Sequence, residues 1–188
     1  MNDTLKPTTI LTQNREQAYL DFICLGNGPS MQDFDFAKLD PELRIVGINR
    51  QWERGIQCDA IVSCDEYQVL YAQEHASAFL KGNLYTRPMY AQKHGARTLP
   101  QASDREIGGS MAIRVAASFN PRKIILAGYD AHRWGHVGKW VPSPRTGTRG
   151  PRTLKNWHET VNLAMAENTH CVFIWANTPE EFALYCYA

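Results

Sequence analysis

Hydrophobic positions in this chain gather in short unbroken runs rather than alternating with polar ones. Tyr19–Leu25, Arg44–Ile48, Ala60–Ser63, Lys123–Ala127 and Cys171–Trp175 are each four to seven residues long and mostly apolar. Continuous runs of that length suit strands covered on both faces, as in a parallel sheet. Between them, helices are expected at Glu66–Leu80, Gly109–Phe119, Thr153–Asn168 and Pro179–Tyr187. The alternation predicts an α/β fold with a single doubly wound, mostly parallel sheet and helices on both faces. Residues 1–17 are polar and read as a flexible N-terminal arm, which leaves 18–188 as one domain of ordinary size.

In open parallel sheets, ligands bind beyond the carboxyl ends of the strands. Gly26–Ser30, Asn49, Asp65, Asp130 and Asn177 each stand just after an expected strand. Polar and glycine-rich chemistry from five strand ends is therefore expected along one edge.

The sharpest local feature is Gly26-Asn27-Gly28-Pro29-Ser30. Glycine lets a backbone turn tightly and approach an anion without a Cβ in the way, and successive N–H groups in such a turn form an anion-binding nest. The loop lacks the second half of the dinucleotide fingerprint and the lysine of a phosphate-binding P-loop. A plain Gly-Pro turn from strand to helix stands beside the phosphate-loop reading. A second cluster, Gly108-Gly109-Ser110, opens an apolar stretch. Ser110 is a candidate cap, and the first-turn amides carry a partial positive charge suited to phosphate. Close packing of helix on sheet would also account for those small residues. The two glycine clusters together favour a nucleotide site made of Gly26, Asn27, Gly28, Pro29, Ser30, Asn49, Gly108, Gly109 and Ser110.

GNGPS at 26–30, Ile48-Asn49, GGSMAIRVA at 108–116 and IILAGYDAHRW at 124–134 occur in this order. The set resembles bacterial sialyltransferases of Rossmann-like fold. It is also similar to the MptE-like 6-hydroxymethylpterin diphosphokinases and to proteins of tailed phages, whose late Asn-x-Thr-Pro is matched by Ala176-Asn177-Thr178-Pro179. The resemblance spans about residues 19–185. It implies that Asn27 and Ser30 touch nucleotide phosphates or sugar, that Asn49 contacts the donor nucleotide, and that Ser110 lies near the donor. His132 falls where the sialyltransferases place a tyrosine that stabilises the leaving phosphate. No histidine stands near Arg149–Arg152, where those enzymes carry their catalytic one. Asp59–Asp65 matches the diphosphokinase pattern, in which the acidic strand end serves a metal.

Asp65 is accordingly a candidate Mg²⁺ ligand, bridging to substrate phosphates, with a helix N-cap as the plain alternative. Asp130 is a candidate for orienting His132 or for capping a turn. The chain carries a net charge of only +1, which marks no global attraction to nucleic acid or membrane. From Ala131 to His158, however, there is no Asp or Glu, while Arg133, Lys139, Arg145, Arg149, Arg152 and Lys155 are present. Glycines and prolines break this segment, so a basic loop is expected at 131–153. Arginine forks there would grip phosphate or an acceptor, and Trp134, Trp140 and Trp157 would stack on a base or sugar. A solvated surface loop is the plain alternative. His132 and His136 are candidate general bases or phosphate partners, since histidine titrates near neutrality.

The five cysteines are scattered without a CxxC pair, so buried reduced thiols are expected. A polar N-terminus and the lack of a long apolar window point to a cytoplasmic chain with no membrane partner. The functional expectation is a transferase using a nucleotide or nucleotide-sugar donor, most like a small glycosyltransferase. Two alternatives are a Mg²⁺-dependent ATP pyrophosphokinase-like enzyme and a module that binds nucleotides, or nucleic acid through the basic loop, without turnover.

Overall fold

A computed structural model describes residues 20–130 and 151–186 of the chain. The expected arm at 1–17 lies outside them, as do His132, Arg133, His136, Lys139, Arg145, Arg149, Trp134 and Trp140 of the basic loop. Among the described residues, six strands form one all-parallel sheet: β1 (Phe22–Leu25), β2 (Arg44–Ile48), β3 (Cys58–Val62), β4 (Leu80–Tyr85), β5 (Lys123–Ala127) and β6 (Val172–Ala176). Their order is β4-β3-β2-β1-β5-β6. The helices are α1 (Glu66–His75), α2 (Pro88–His94), α3 (Gly108–Ala117), α4 (Pro151–Ala166) and α5 (Pro179–Ala183), joined by short 3-10 turns. This is the expected doubly wound, Rossmann-like α/β arrangement.

Burial explains why the apolar runs became strands. β1 lies between β2 and β5, and all four of its residues are buried. Its side chains alternate between two cores. Phe22 and Cys24 face a layer built with Val46, Ile48, Val62, Ile124, Leu126 and the helical Met111, Val115, Val161 and Ala164. Ile23 and Leu25 face Ile61, Ile125, Met31, Trp52, Ala72 and Phe182 on the opposite side. The interior α3 crosses β1, β2 and β3, and every residue from Gly109 to Ala117 is buried. Its Gly, Ala and Ser residues let a helix lie that close to a sheet.

Two elements depart from expectation. The helix expected to reach Leu80 stops at His75, and Leu80–Tyr85 is a strand. β4 is an edge strand with Lys81 and Gly82 exposed, so it lacks the solid apolar run that marks the inner strands. Gly82 sits at an irregularity in the β3–β4 register, where a Cβ would lie 2.1 Å from the Asp59 carbonyl oxygen. α2 was not expected either; Pro88 opens it and Gly95, at φ +67°, closes it. The helix after the basic segment begins at Pro151, two residues earlier than expected.

β1 has β2 on one side and β5 on the other, and the chain moves outward from it in both directions. That reversal makes the carboxyl ends of β1 and β5 a topological switch point, the usual ligand position in such sheets.

Candidate functional site

Strand register places polar residues from neighbouring strands at one level of this edge. Leu25 pairs with Gly47, and Val62 pairs with both Ile48 and Tyr85. Continuing beyond these pairs, Asn27, Asn49, Ser63 and Thr86 follow one another across four strands. The Asn49 N–H donates to the Val62 carbonyl (2.8 Å) and that of Ser63 to the Tyr85 carbonyl (3.0 Å), which extends the ladder to this row. Asn49 is half-buried at φ +55°, a left-handed conformation that asparagine tolerates better than most residues. Asn27 Oδ1 accepts a 2.6 Å hydrogen bond from Gln51 Nε2. Gln51 is wholly buried and its Oε1 has no hydrogen-bond partner among the described residues; Ser63 Oγ and Thr86 Oγ1 are likewise buried without one. Gln51, Ser63 and Thr86 carry no local sequence signal, because only strand pairing reveals their shared level.

The Gly26–Ser30 loop is packed against the end of β5. Its Gly26 N–H donates to the Ala127 carbonyl (2.7 Å) and its Gly28 N–H to the Gly128 carbonyl (2.9 Å). The Ser30 N–H donates to Asp130 Oδ2 at 2.9 Å. Three amides expected to face a phosphate are therefore engaged inside the protein, the last by a carboxylate. A Cβ on Gly28 would lie 1.4 Å from Asp130 Oδ1, so glycine is what lets that carboxylate enter the loop. Asp130 is 1% exposed; its Oδ1 and the Ser30 Oγ are both buried without a hydrogen-bond partner among the described residues. Pro29 starts the short 3-10 turn that follows.

The start of α3 packs on the same edge. Gly108 lies on the end of β2, where a Cβ would come within 2.7 Å of Ile48 Cγ2. The Gly109 carbonyl accepts from the Tyr129 hydroxyl (3.0 Å), and Tyr129 is tucked under it beside Trp157 and Trp175. Burial pushes the Tyr129 phenol well above its ordinary pKa, so it remains a neutral donor. Ser110 is wholly buried. Its hydroxyl accepts from the Ile107 N–H (3.2 Å) and donates to Glu106 Oε2, so the residue caps the helix start from within the first turn. Glu106 in turn pairs with Arg114 Nε at 3.0 Å, and Arg114 also pairs with Glu167. Arg87 Nε donates to the Glu106 carbonyl (2.7 Å), tying the residues after β4 to the same network.

The other expected site residues lie as follows. Asp65 is exposed at the start of α1 and makes no side-chain cap there. Asn177 Oδ1 accepts from the Tyr129 N–H (3.1 Å), bracing the loop after β5. Trp157 is half-buried against Tyr129 and His158, and Arg152 falls in the first turn of α4. Among the described residues, no group of three or more His, Cys, Asp or Glu side chains is placed to hold a metal. A Mg²⁺ on Asp65 would thus draw most of its ligands from a substrate's phosphates and water. All five cysteines are free thiols, four of them buried. Burial pushes the Cys58 and Cys64 thiols up to about 12, and Cys24 higher still. At neutral pH they are protonated and poor nucleophiles.

Fold and edge together define an α/β chain of Rossmann-like architecture with a row of polar residues at the carboxyl edge of its sheet. Set against known proteins, the chain matches no family model, no curated protein and no solved structure. Among the described residues, no helix is long and apolar enough to cross a membrane.

Proposed function

We propose that the chain is a transferase that holds a nucleotide-activated donor at the carboxyl ends of β1 and β5, glycosyltransferase-like in its chemistry. The observation that carries this reading is the set of buried polar atoms without hydrogen-bond partners among the described residues along one sheet edge: Ser30 Oγ, Asp130 Oδ1, Gln51 Oε1, Ser63 Oγ and Thr86 Oγ1. Folded interiors pair such atoms, so a group of them at a switch point suits the ribose, base or sugar of a ligand, or its ordered water. Asn27 and Asn49 supply amides at the same level. The cation-rich stretch between β5 and α4 would stabilise charge developing on the departing phosphate. Catalysis would then rest on positioning and electrostatics rather than on a covalent intermediate.

Thermal-shift titration with nucleotides and nucleotide sugars, with and without Mg²⁺, tests the reading, because a ligand held only by the folded state raises Tm. The informative variant is Asn49→Gly, which removes the amide while keeping a residue suited to φ +55°. It is expected to melt close to the wild type and to lose most of the ligand-induced shift. Asn27→Ala is a poorer choice, since it removes the acceptor of the buried Gln51 amide. Release of a nucleoside mono- or diphosphate from a sugar donor supports transfer. Mg²⁺-dependent release of AMP from ATP would replace it with pyrophosphoryl transfer. Salt-sensitive binding of oligonucleotides alone would replace it with a nucleic-acid module. No shift with any small ligand ends the proposal.

A further inference from the structure

We infer that the Gly26–Ser30 loop receives the hydroxyls of the nucleotide's ribose, on Asp130 Oδ1 and Ser30 Oγ, rather than a phosphate. This rests on the nucleotide reading above and gives the loop a different ligand group from the one its glycines suggest.

An ionised carboxylate only accepts hydrogen bonds. One Asp130 oxygen is used by the Ser30 N–H; the other is buried with no donor among the described residues. On the same Ser30, a hydroxyl able to donate or accept is also buried and unpartnered. The Gly28 and Ser30 amides, which would attract an anion, are already satisfied by the Gly128 carbonyl and by Asp130. A phosphate brought here would meet a carboxylate at close range with no amide released to compensate it, and like charges so placed repel. The site calls for hydrogen-bond donors. Among the described residues, no group of three or more His, Cys, Asp or Glu side chains gathers around Asp130 to hold a cation. A vicinal diol offers two hydroxyls that can donate to Oδ1 and exchange a bond with Ser30 Oγ. Ser30 as a residue is partly exposed, so its two polar groups stand close to solvent.

Calorimetric titration of the full chain with the four ribonucleoside 5′-monophosphates, their 2′,3′-dideoxy counterparts and inorganic phosphate tests this. The wild type should bind at least one ribonucleotide about tenfold or more tightly than its dideoxy form, the loss expected for a hydrogen bond to a charged acceptor. Asp130→Asn and Ser30→Ala should each shrink that ratio toward one. Ser30→Ala removes a hydroxyl with no partner in the fold, so it decides the question even if Asp130→Asn melts early. Equal affinity for ribo and dideoxy forms in the wild type overturns the inference while leaving the nucleotide site standing. Tighter binding of inorganic phosphate by Asp130→Asn also overturns it, by showing the carboxylate to be a stand-in for a phosphate. A ribo-to-dideoxy ratio untouched by either substitution places the ribose elsewhere. If no monophosphate binds, the nucleotide reading falls, and the inference with it.

Discussion

Gly28 is small because Asp130 needs the room. An added methyl group would overlap both Asp130 Oδ1 and, at 2.6 Å, the Gly128 carbonyl oxygen. Since backbone stands on one side, Gly28→Ala is expected to cost about 1–3 kcal/mol, the usual range for overpacking, read as a fall in the urea midpoint. The buried thiols make a second residue-scale prediction. In the unfolded chain a cysteine loses its proton near pH 9, whereas burial holds Cys58 and Cys64 neutral to about pH 12. Their contribution to stability is whole below about pH 9 and falls between about pH 9 and 12, because only the unfolded form gains by ionising. Below pH 9 a thiol reagent should label the half-buried Cys186 first and reach the other four only on unfolding. Rapid labelling of Cys58 or Cys64 in the native protein would contradict this. The glycines and asparagines of the site were legible as residue types. The amide partners were not, since a sequence does not show that a carboxylate about a hundred positions away will occupy the turn.

At the scale of elements, α3 owes its position to a buried ionic network. Glu106 and Arg114 expose only 7% and 5% of their side chains, while Glu167 remains half open. Removing one partner of a buried pair strands the other charge. Arg114→Ala is therefore expected to cost about 3–5 kcal/mol, measured by chemical denaturation, and Glu167→Gln much less, as it lies nearer solvent. Because α3 lays Gly108 on β2 and Gly109 on Tyr129, loosening it should also weaken any ligand held beneath. The network was hidden in the sequence by spacing: Glu106 precedes the helix, Arg114 lies within it and Glu167 follows α4. Strands buried on both faces announced themselves as apolar runs. β4 did not, since an edge strand holding Lys81, Gly82 and Asn83 resembles the tail of a helix or a loop.

The whole molecule was legible to the extent that burial repeats along the chain. Alternating apolar runs and helical stretches gave the all-parallel sheet and the edge on which ligands should gather, and the register then aligned Asn27, Asn49, Ser63 and Thr86 along it. What periodicity does not encode is which strand lies beside β1. Its second neighbour is β5, not β3, and this pairing brings Ser30 within 2.9 Å of Asp130 across a separation of 100 residues. A consequence follows for the birth of the protein. At ribosomal speeds of about 5–20 residues per second, roughly 5–20 s pass between the emergence of the glycine turn and that of its distant carboxylate. Until then β1 lacks one flank, and the turn stands without the carboxylate that will fill it.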